Sequence, residues 1–562
     1  MKTTFQYDHY YDYQELTHCI EQLAKSYPDL VSVESICTSE KGRQVWAVTL
    51  TNKKSGPALS KPALYIDGNT HAGEVTGSMV AMHTMDVLCT GYDSDASLRR
   101  LLDEMTFYII PRISVDGTEV YLHTPARLRS ADRPYPHPVQ QPGLFPQDLD
   151  DDGVIRMMRF KDPHGAWKIS PDHPQLMEKR KPDDREGEFY TVLSEGMIEQ
   201  QQGNEVQPAK TLWGLDFNRN YPYGWFSEAR QPGAGPYPLS NPENKAVVDF
   251  VLGHPNIGSV ATHHTSGGVI LYPPGTRPEK SAHALDSLRL REIGAMATEE
   301  MGYPAINIFD HFMIDQENYS SGAFDDWCFQ NQGIPAYTLE LWNLLERAGS
   351  KIDWDHRGER TEKQSLQILT QVMDWCAKNA DSGFEPWTKW NHPQLGEVEI
   401  GGLNLKFTEQ NCPVAFLKQE VEKTTRFCLR YARALPQLSI EKTEVRWLAE
   451  DLAEVSAVIG NNGYLPTYLT EEARSLQINE PVRVSLQGQS VSLVQGKQVM
   501  EIGDLQGYSG AHASYSACTL QTGNHEPMVK TVRWLVQAQP GTVLKLTAFQ
   551  QKAGKAEIQI TL

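Results

Sequence analysis

An α/β fold with a parallel or mixed sheet, followed by an all-β sandwich, is what this sequence predicts. Three observations carry the prediction. Short apolar runs such as Ala63-Leu64-Tyr65-Ile66 and Phe107-Tyr108-Ile109-Ile110 alternate with segments of helical periodicity as far as Ala377. The tract 125–212 breaks that alternation, being rich in Pro, Asp, Arg and Gln and poor in apolar periodicity. From Leu438 onward, short alternating strands punctuated by Asn461-Asn462-Gly463 and Pro540-Gly541 replace the helices.

The elements follow in order. Residues 11–27 place Leu16, Ile20 and Leu23 at helical spacing and stop at Pro28. Two alternating runs, Leu30 to Val33 and Gln44 to Leu50, flank the turn Glu40-Lys41-Gly42 and predict strands. A buried strand at Ala63–Ile66 leads through Asp67-Gly68-Asn69-Thr70-His71-Ala72-Gly73-Glu74 into a helix over 75–88. A helix over 97–104 and the strand at 107–111 follow. The tract 125–212 reads as a long surface insertion with little core of its own. The α/β pattern resumes with helices at 241–252, 282–301 and 362–377 and strands at 257–262, 269–272 and 336–341. Residues 381–435 read as a connector with a hairpin across Gly401-Gly402 and a helix over 419–434, and 436–562 as the sandwich.

With 562 residues the chain has room for several domains, and 40% apolar residues with 9% aromatics is ordinary for packed globular protein. A formal charge of -19 argues against a nucleic-acid partner and offers nothing to an anionic membrane surface. No apolar run approaches the roughly 20 residues of a spanning helix. The N-terminal stretch lacks the apolar core of a secretory signal, and the 8 Cys are scattered without a CxxC pair. They read as reduced structural thiols, so a cytoplasmic location is expected.

The chemistry starts at His71 and Glu74. A His and a Glu three residues apart at a strand-to-helix turn can aim at one point, and zinc accepts imidazole nitrogen and carboxylate oxygen readily. A catalytic zinc needs a third protein ligand and an open position. His263 and His264, at the end of the 257–262 strand, are the candidates. Glu340 is a lone carboxylate in an apolar strand, a costly placement unless it is paired or used. Within the insertion, Asp148, Asp150 and Asp152 with Gly153 match the start of a calcium loop, although the twelfth position is Arg159 rather than Glu. A calcium ion there is expected only in this incomplete form.

HxxE, then Asn218-Arg219-Asn220, then His264-Thr265-Ser266 before Ile270-Leu271-Tyr272-Pro273, then Thr338-Leu339-Glu340-Leu341, in that order, resembles the zinc metallocarboxypeptidases of the carboxypeptidase A family. Val115-Asp116-Gly117 adds a further matching turn, and the resemblance spans about residues 5 to 380. It implies a mixed-sheet carboxypeptidase-like domain with helices on both faces, and one catalytic zinc. His71, Glu74 and His264 are then the ligands, His264 standing eight residues before Tyr272 as the family's ligand does, with His263 on the opposite face of the strand. Glu340 is then the general base that takes a proton from the activated water and later gives one to the leaving amine. Asn218 and Arg219 are implied to hold the free C-terminal carboxylate of a peptide, which a guanidinium fork fits bidentately. The resemblance places the oxyanion cation at Arg159, with Arg156 as the near alternative, the acidic loop bracing it.

The family's capping Tyr falls at Asn318 by count, with Tyr319 one residue off, and the floor of the side-chain pocket falls at Asp325. An acidic floor implies a preference for C-terminal Lys or Arg. The activity expected is hydrolysis of the C-terminal peptide bond. The alternative is an amide hydrolase of the same fold acting on a small acyl-amino acid or on a cell-wall or branched peptide. A non-catalytic binding protein is disfavoured, since a binder has no need of Glu340. Nothing in the sequence speaks to oligomeric state.

Overall fold

The computed structural model describes residues 5–200, 205–356, 359–512 and 527–562. Residues 1–4 of the N-terminal stretch and Cys518 lie outside them.

An eight-stranded mixed sheet forms the centre, in the order Val31–Thr38, Gln44–Leu50, Thr106–Ile110, Ala63–Gly68, Ile257–Thr265, Ala336–Leu341, Val269–Tyr272, Ala305–Asn307. The four middle strands, from Thr106–Ile110 to Ala336–Leu341, run parallel. Every residue of Ala63–Gly68 and Ile257–Thr265 is buried, which explains why those strands read as continuous apolar runs rather than alternating ones. Ligands of open α/β sheets bind beyond the carboxyl ends of such strands. His71, His264 and Glu340 all sit at that edge.

The helix Val75–Gly91 lies unusually close to the sheet. A Cβ on Gly68 would come within 2.6 Å of the Gly77 backbone, and a Cβ on Gly77 within 2.9 Å of the His263 side chain. Only a glycine pair permits that approach, and it seats the helix start, with Glu74, over the strand end that carries His264. Val414–Ala432 packs beside Val75–Gly91 and Ala284–Met301, so its apolar residues Leu417, Val421, Phe427 and Tyr431 join the main core.

Two expectations are overturned here. Residues 381–435 are not a connector: Val414–Ala432 completes the helical layer on the eight-stranded sheet. Phe384–His392 and Gly396–Leu403 are long antiparallel strands, the second running straight through Gly401-Gly402 instead of turning there. The tract 125–212 is also not coreless. Gly396–Leu403 pairs with Met157–Lys161, and these two with Phe384–His392, Tyr190–Ser194, Trp167–Ile169 and Met177–Lys179 make a six-stranded sheet. Leu144, Met158, Ile198, Val398 and Ile400 form its core. The two halves of this β unit lie about 200 residues apart in sequence, so neither half shows a core alone.

From Leu438 two four-stranded antiparallel sheets face each other around Val455, Val484, Trp534 and Leu546, the expected sandwich. Polar contacts tie it to the eight-stranded domain: Asp286 accepts from the Glu471 and Glu472 amides at 2.8 and 2.9 Å, and Lys552 Nζ donates to the Ile257 carbonyl at 2.7 Å. Among the described residues no helix is long and apolar enough to cross a membrane, and the seven described cysteines are free.

Candidate metal centre and cleft

Asn69 shapes the turn after Ala63–Gly68. It takes a left-handed φ of 52°, a conformation its short polar side chain tolerates, and its amide donates to the carbonyls of His71 and Ala72 at 3.1 and 3.2 Å. The turn aims His71 Nδ1 and both Glu74 oxygens inward. His71 Nδ1 lies 2.8 Å from Glu74 Oε1, His264 Nδ1 2.9 Å from Glu74 Oε2, and the two ring nitrogens 3.1 Å from each other. All three side chains are buried. Two imidazole nitrogens that close over one carboxylate offer a cation a shared seat, and two nitrogens with one carboxylate oxygen are the donor set of a catalytic zinc. Burial alone would raise the Glu74 pKa, but His71 and His264 override it and hold the group ionised.

The far side of His71 is also held. Its Nε2 lies 3.1 Å from Asp216 Oδ1, and Asp216 Oδ2 accepts from Arg129 Nε at 2.9 Å. This carboxylate–imidazole pairing fixes ring orientation and leaves Nδ1 for a metal. Burial would raise the Asp216 pKa, yet Arg129, Arg219 and His71 hold it well below the carboxylate range. Arg129 also reaches Glu74 Oε1 at 3.4 Å and keeps 42% of its side chain exposed toward the cleft.

His264 and Glu340 are register partners on adjacent parallel strands, so the metal centre and the lone acid share one edge. His71, Glu74, His264, Glu340, Arg129, Asn218, Arg219, Asp325 and Asp326 line one cavity of about 250 Å³. Burial raises the Glu340 pKa to about 7, with Glu74 and Asp325 adding to the rise and His264 and Arg129 opposing it. His263 lies on the other face, its Nδ1 donating to the Asp67 carbonyl at 2.6 Å, and burial pushes its pKa down to about 4. It is a neutral core histidine.

Asn218 and Arg219 sit on the short helical turn Phe217–Arg219, capped by Asp216, whose Oδ1 accepts from the Asn218 amide at 2.8 Å. Asn218 Oδ1 is taken by the Phe324 amide at 2.9 Å, so its NH2 is what it offers the cleft. Asp325 and Asp326 line the cavity together with the apolar Leu271, Ile308, Phe312 and Met313. Asp325 Oδ2 accepts from Thr338 Oγ1 at 2.6 Å, and Asp326 Oδ1 from the Gly275 amide at 2.9 Å.

Three assignments are corrected. Arg159 is remote from the cleft: its Nε donates to Glu399 Oε2 at 2.7 Å and its guanidinium stacks on Trp387 at 4.5 Å, inside the β unit. Arg156 is likewise consumed, donating to Asp152 Oδ2 at 2.7 Å and to the Gly402 carbonyl at 3.0 Å. Arg129, unlike Arg156 and Arg159, lines the cavity, as Arg219 does. Tyr319 does not line the cavity; its ring packs against Phe226 and Phe309 at 5.5 and 5.9 Å. In the acidic turn Asp152 is spent on Arg156, and buried Glu195 joins Asp148 and Asp150 instead, their oxygens within 4.8 Å of one another. Burial lifts the Glu195 pKa to about 7, which Asp150 and Asp148 reinforce.

A buried His-Glu-His trio beside a carboxyl of raised pKa, at the carboxyl edge of parallel strands and in one cavity with Asn218 and Arg219, has the parts of a metal-dependent amide hydrolase. A sequence model of the zinc carboxypeptidase family matches residues 16–348, and the chain belongs to that family. It is a hydrolase, and the family's catalytic ion is zinc. Carboxypeptidase B of Astacus astacus is 23% identical over 342 residues, covering 59% of this chain and 86% of its own. Carboxypeptidase B of Rattus norvegicus is 30% identical over 350 residues, covering 60% of this chain and 64% of its own. The solved structure of carboxypeptidase A from Helicoverpa armigera aligns at 18% identity over 68% of this chain and 76% of that one, with a TM-score of 0.39. Residues 437–561 match a separate domain of unknown function.

Proposed function

We propose that this enzyme removes the C-terminal residue of peptides and favours Lys or Arg there. The observation that carries the reading is one cavity lined by the His71–Glu74–His264 trio, Glu340, the Asn218–Arg219 pair and two further acids, Asp325 and Asp326. When bound, zinc supplies Lewis acidity that polarises the scissile carbonyl and lowers the pKa of the attacking water. Arg219 and the Asn218 NH2 fix the substrate carboxylate, which sets the register of the bond to be cut. Glu340 takes the proton from the attacking water at a carboxylate oxygen and returns it to the leaving amine. Arg129 faces the developing negative charge on the carbonyl oxygen. The apolar wall accepts the stem of a long side chain, and Asp325 with Asp326 receives its cationic end.

Hippuryl-Arg, hippuryl-Phe and hippuryl-Arg amide, assayed side by side with zinc-loaded protein, test this. Hydrolysis of the free acids and not of the amide, with higher kcat/KM for Arg, is expected. Equal kcat/KM for Arg and Phe removes the basic preference, and cleavage of the amide removes the carboxypeptidase reading in favour of a general amide hydrolase.

Two further parts of the proposal concern the surroundings. A calcium ion at the acidic turn would use Asp148, Asp150 and Glu195 in place of Asp152. Millimolar calcium should then raise the Tm of the wild type and not of Glu195→Gln; equal Tm with and without calcium removes it. A reducing, cytoplasmic compartment fits the seven free cysteines among the described residues.

A further inference from the structure

The helix Val75–Gly91 opens directly on a metal ligand. Glu74 occupies its N-cap position with φ -96° and ψ 54°, and makes no side-chain cap hydrogen bond, because its carboxylate is turned to His71 and His264. A helix start leaves amide N–H groups that need an acceptor, and a buried one needs it most. The acceptor arrives from far along the chain. Asn411 Oδ1 accepts from the Thr76 amide at 3.1 Å and from Thr76 Oγ1 at 3.0 Å. Its Nδ2 donates to the Gly73 carbonyl at 2.6 Å, with Tyr121 Oη and the Lys406 carbonyl each at 3.1 Å. Asn411 is fully buried. A single side chain thus grips the residues on both sides of Glu74.

The segment that delivers it, the wide helical turn Leu405–Gln410, also holds the other half of the centre. The Thr408 carbonyl accepts from Trp342 Nε1 at 2.8 Å. Trp342 stands two residues after Glu340, is fully buried, and takes a left-handed φ of 64° that a bulky residue adopts only when its surroundings impose it. Its carbonyl accepts from the Gly267 amide at 2.8 Å, which links this turn to the one after His264. Residues 405–411 lie beyond the matched family region, which ends at 348.

We infer that Asn411 is a positioning residue that caps the ligand helix in trans, so that Glu74 is free to serve the metal while its turn stays rigid. The inference rests on zinc binding at His71, Glu74 and His264. Competition with a chromophoric zinc chelator on the full-length protein tests it. Asn411→Ala should raise the zinc Kd by about 10–100-fold, the range for groups that orient ligands. Asn411→Asp, which keeps the acceptor for Thr76 and loses the donor to Gly73, should fall between the two, and it carries the test if the alanine variant does not fold. Trp342→Phe should lower kcat and leave the zinc Kd near that of the wild type. A wild type that takes up no zinc overturns the metal centre itself. A wild type that binds zinc, with Asn411 variants that match its Kd and lose only Tm, overturns the trans cap alone.

Discussion

Arg129 donates through Nε to Asp216 at 2.9 Å, and the other oxygen of that carboxylate lies 3.1 Å from His71 Nε2. One carboxylate therefore couples the cleft cation to a metal-facing imidazole. The pairing orients His71 and places a guanidinium at the mouth of the site with 42% of its side chain exposed. Arg129 can turn part of its hydrogen-bonding capacity toward substrate without leaving Asp216, since a guanidinium carries five donors.

Arg129→Ala should therefore lower kcat by about 10²–10³-fold, the usual loss for one donor to a developing oxyanion. Arg159→Ala should change kcat by no more than a few-fold and lower Tm, since Arg159 holds Glu399 and Trp387 within the β unit. Steady-state kinetics and melting curves on both variants check this. A large kcat loss in Arg159→Ala with an intact Arg129→Ala would reverse the assignment.

The missed arginine shows what was legible in the sequence and what was not. His71 and Glu74 are close in sequence, so their convergence needs only one turn. His264 and Glu340 end apolar strands that the pattern of buried runs locates well. Arg129 stands near the start of the 125–212 tract, whereas the resemblance points to Arg159, which lies inside the β unit. The signal that points to Arg129 is its place near the start of the 125–212 tract, beside buried Leu128. Asp216 lay in plain view within Leu215-Asp216-Phe217-Asn218-Arg219, and a metal-bound imidazole needs such a partner. The β unit was illegible as a whole because its two halves are joined by one long-range pairing, Gly396–Leu403 with Met157–Lys161, and no local periodicity encodes that pairing.

Specificity should reside in the acid pair. Asp325→Asn and Asp326→Asn are each expected to lower kcat/KM for hippuryl-Arg by about 10-fold or more, in keeping with the loss of a hydrogen bond to a charged group. Hippuryl-Phe should change little. The ratio of the two kcat/KM values is the readout, and an unchanged ratio in both variants removes the acids from recognition.

The same pair predicts a pH dependence. Burial, with the neighbouring Asp325, raises the Asp326 pKa to about 7, while the Gly275 amide and Arg277 act against it. Asp326 is mostly neutral below that pH and anionic above it, so affinity for a basic, non-hydrolysed ligand should rise as pH passes upward through 7. For stability the sign is opposite. The folded pKa exceeds the ordinary Asp value of 3.8, so Asp326 contributes stability that is complete below 3.8 and is lost as pH rises through 7. Asp326→Asn should flatten both profiles between pH 5 and 8. Profiles identical to the wild type would contradict the shift.

The most direct test is a zinc titration and a turnover measurement on one variant, Glu340→Gln, beside the wild type. It should bind one zinc per chain with wild-type affinity and hydrolyse hippuryl-Arg about 10²–10⁴-fold more slowly, the range for removing a general base. Turnover within a few-fold of the wild type at full zinc occupancy would contradict the account.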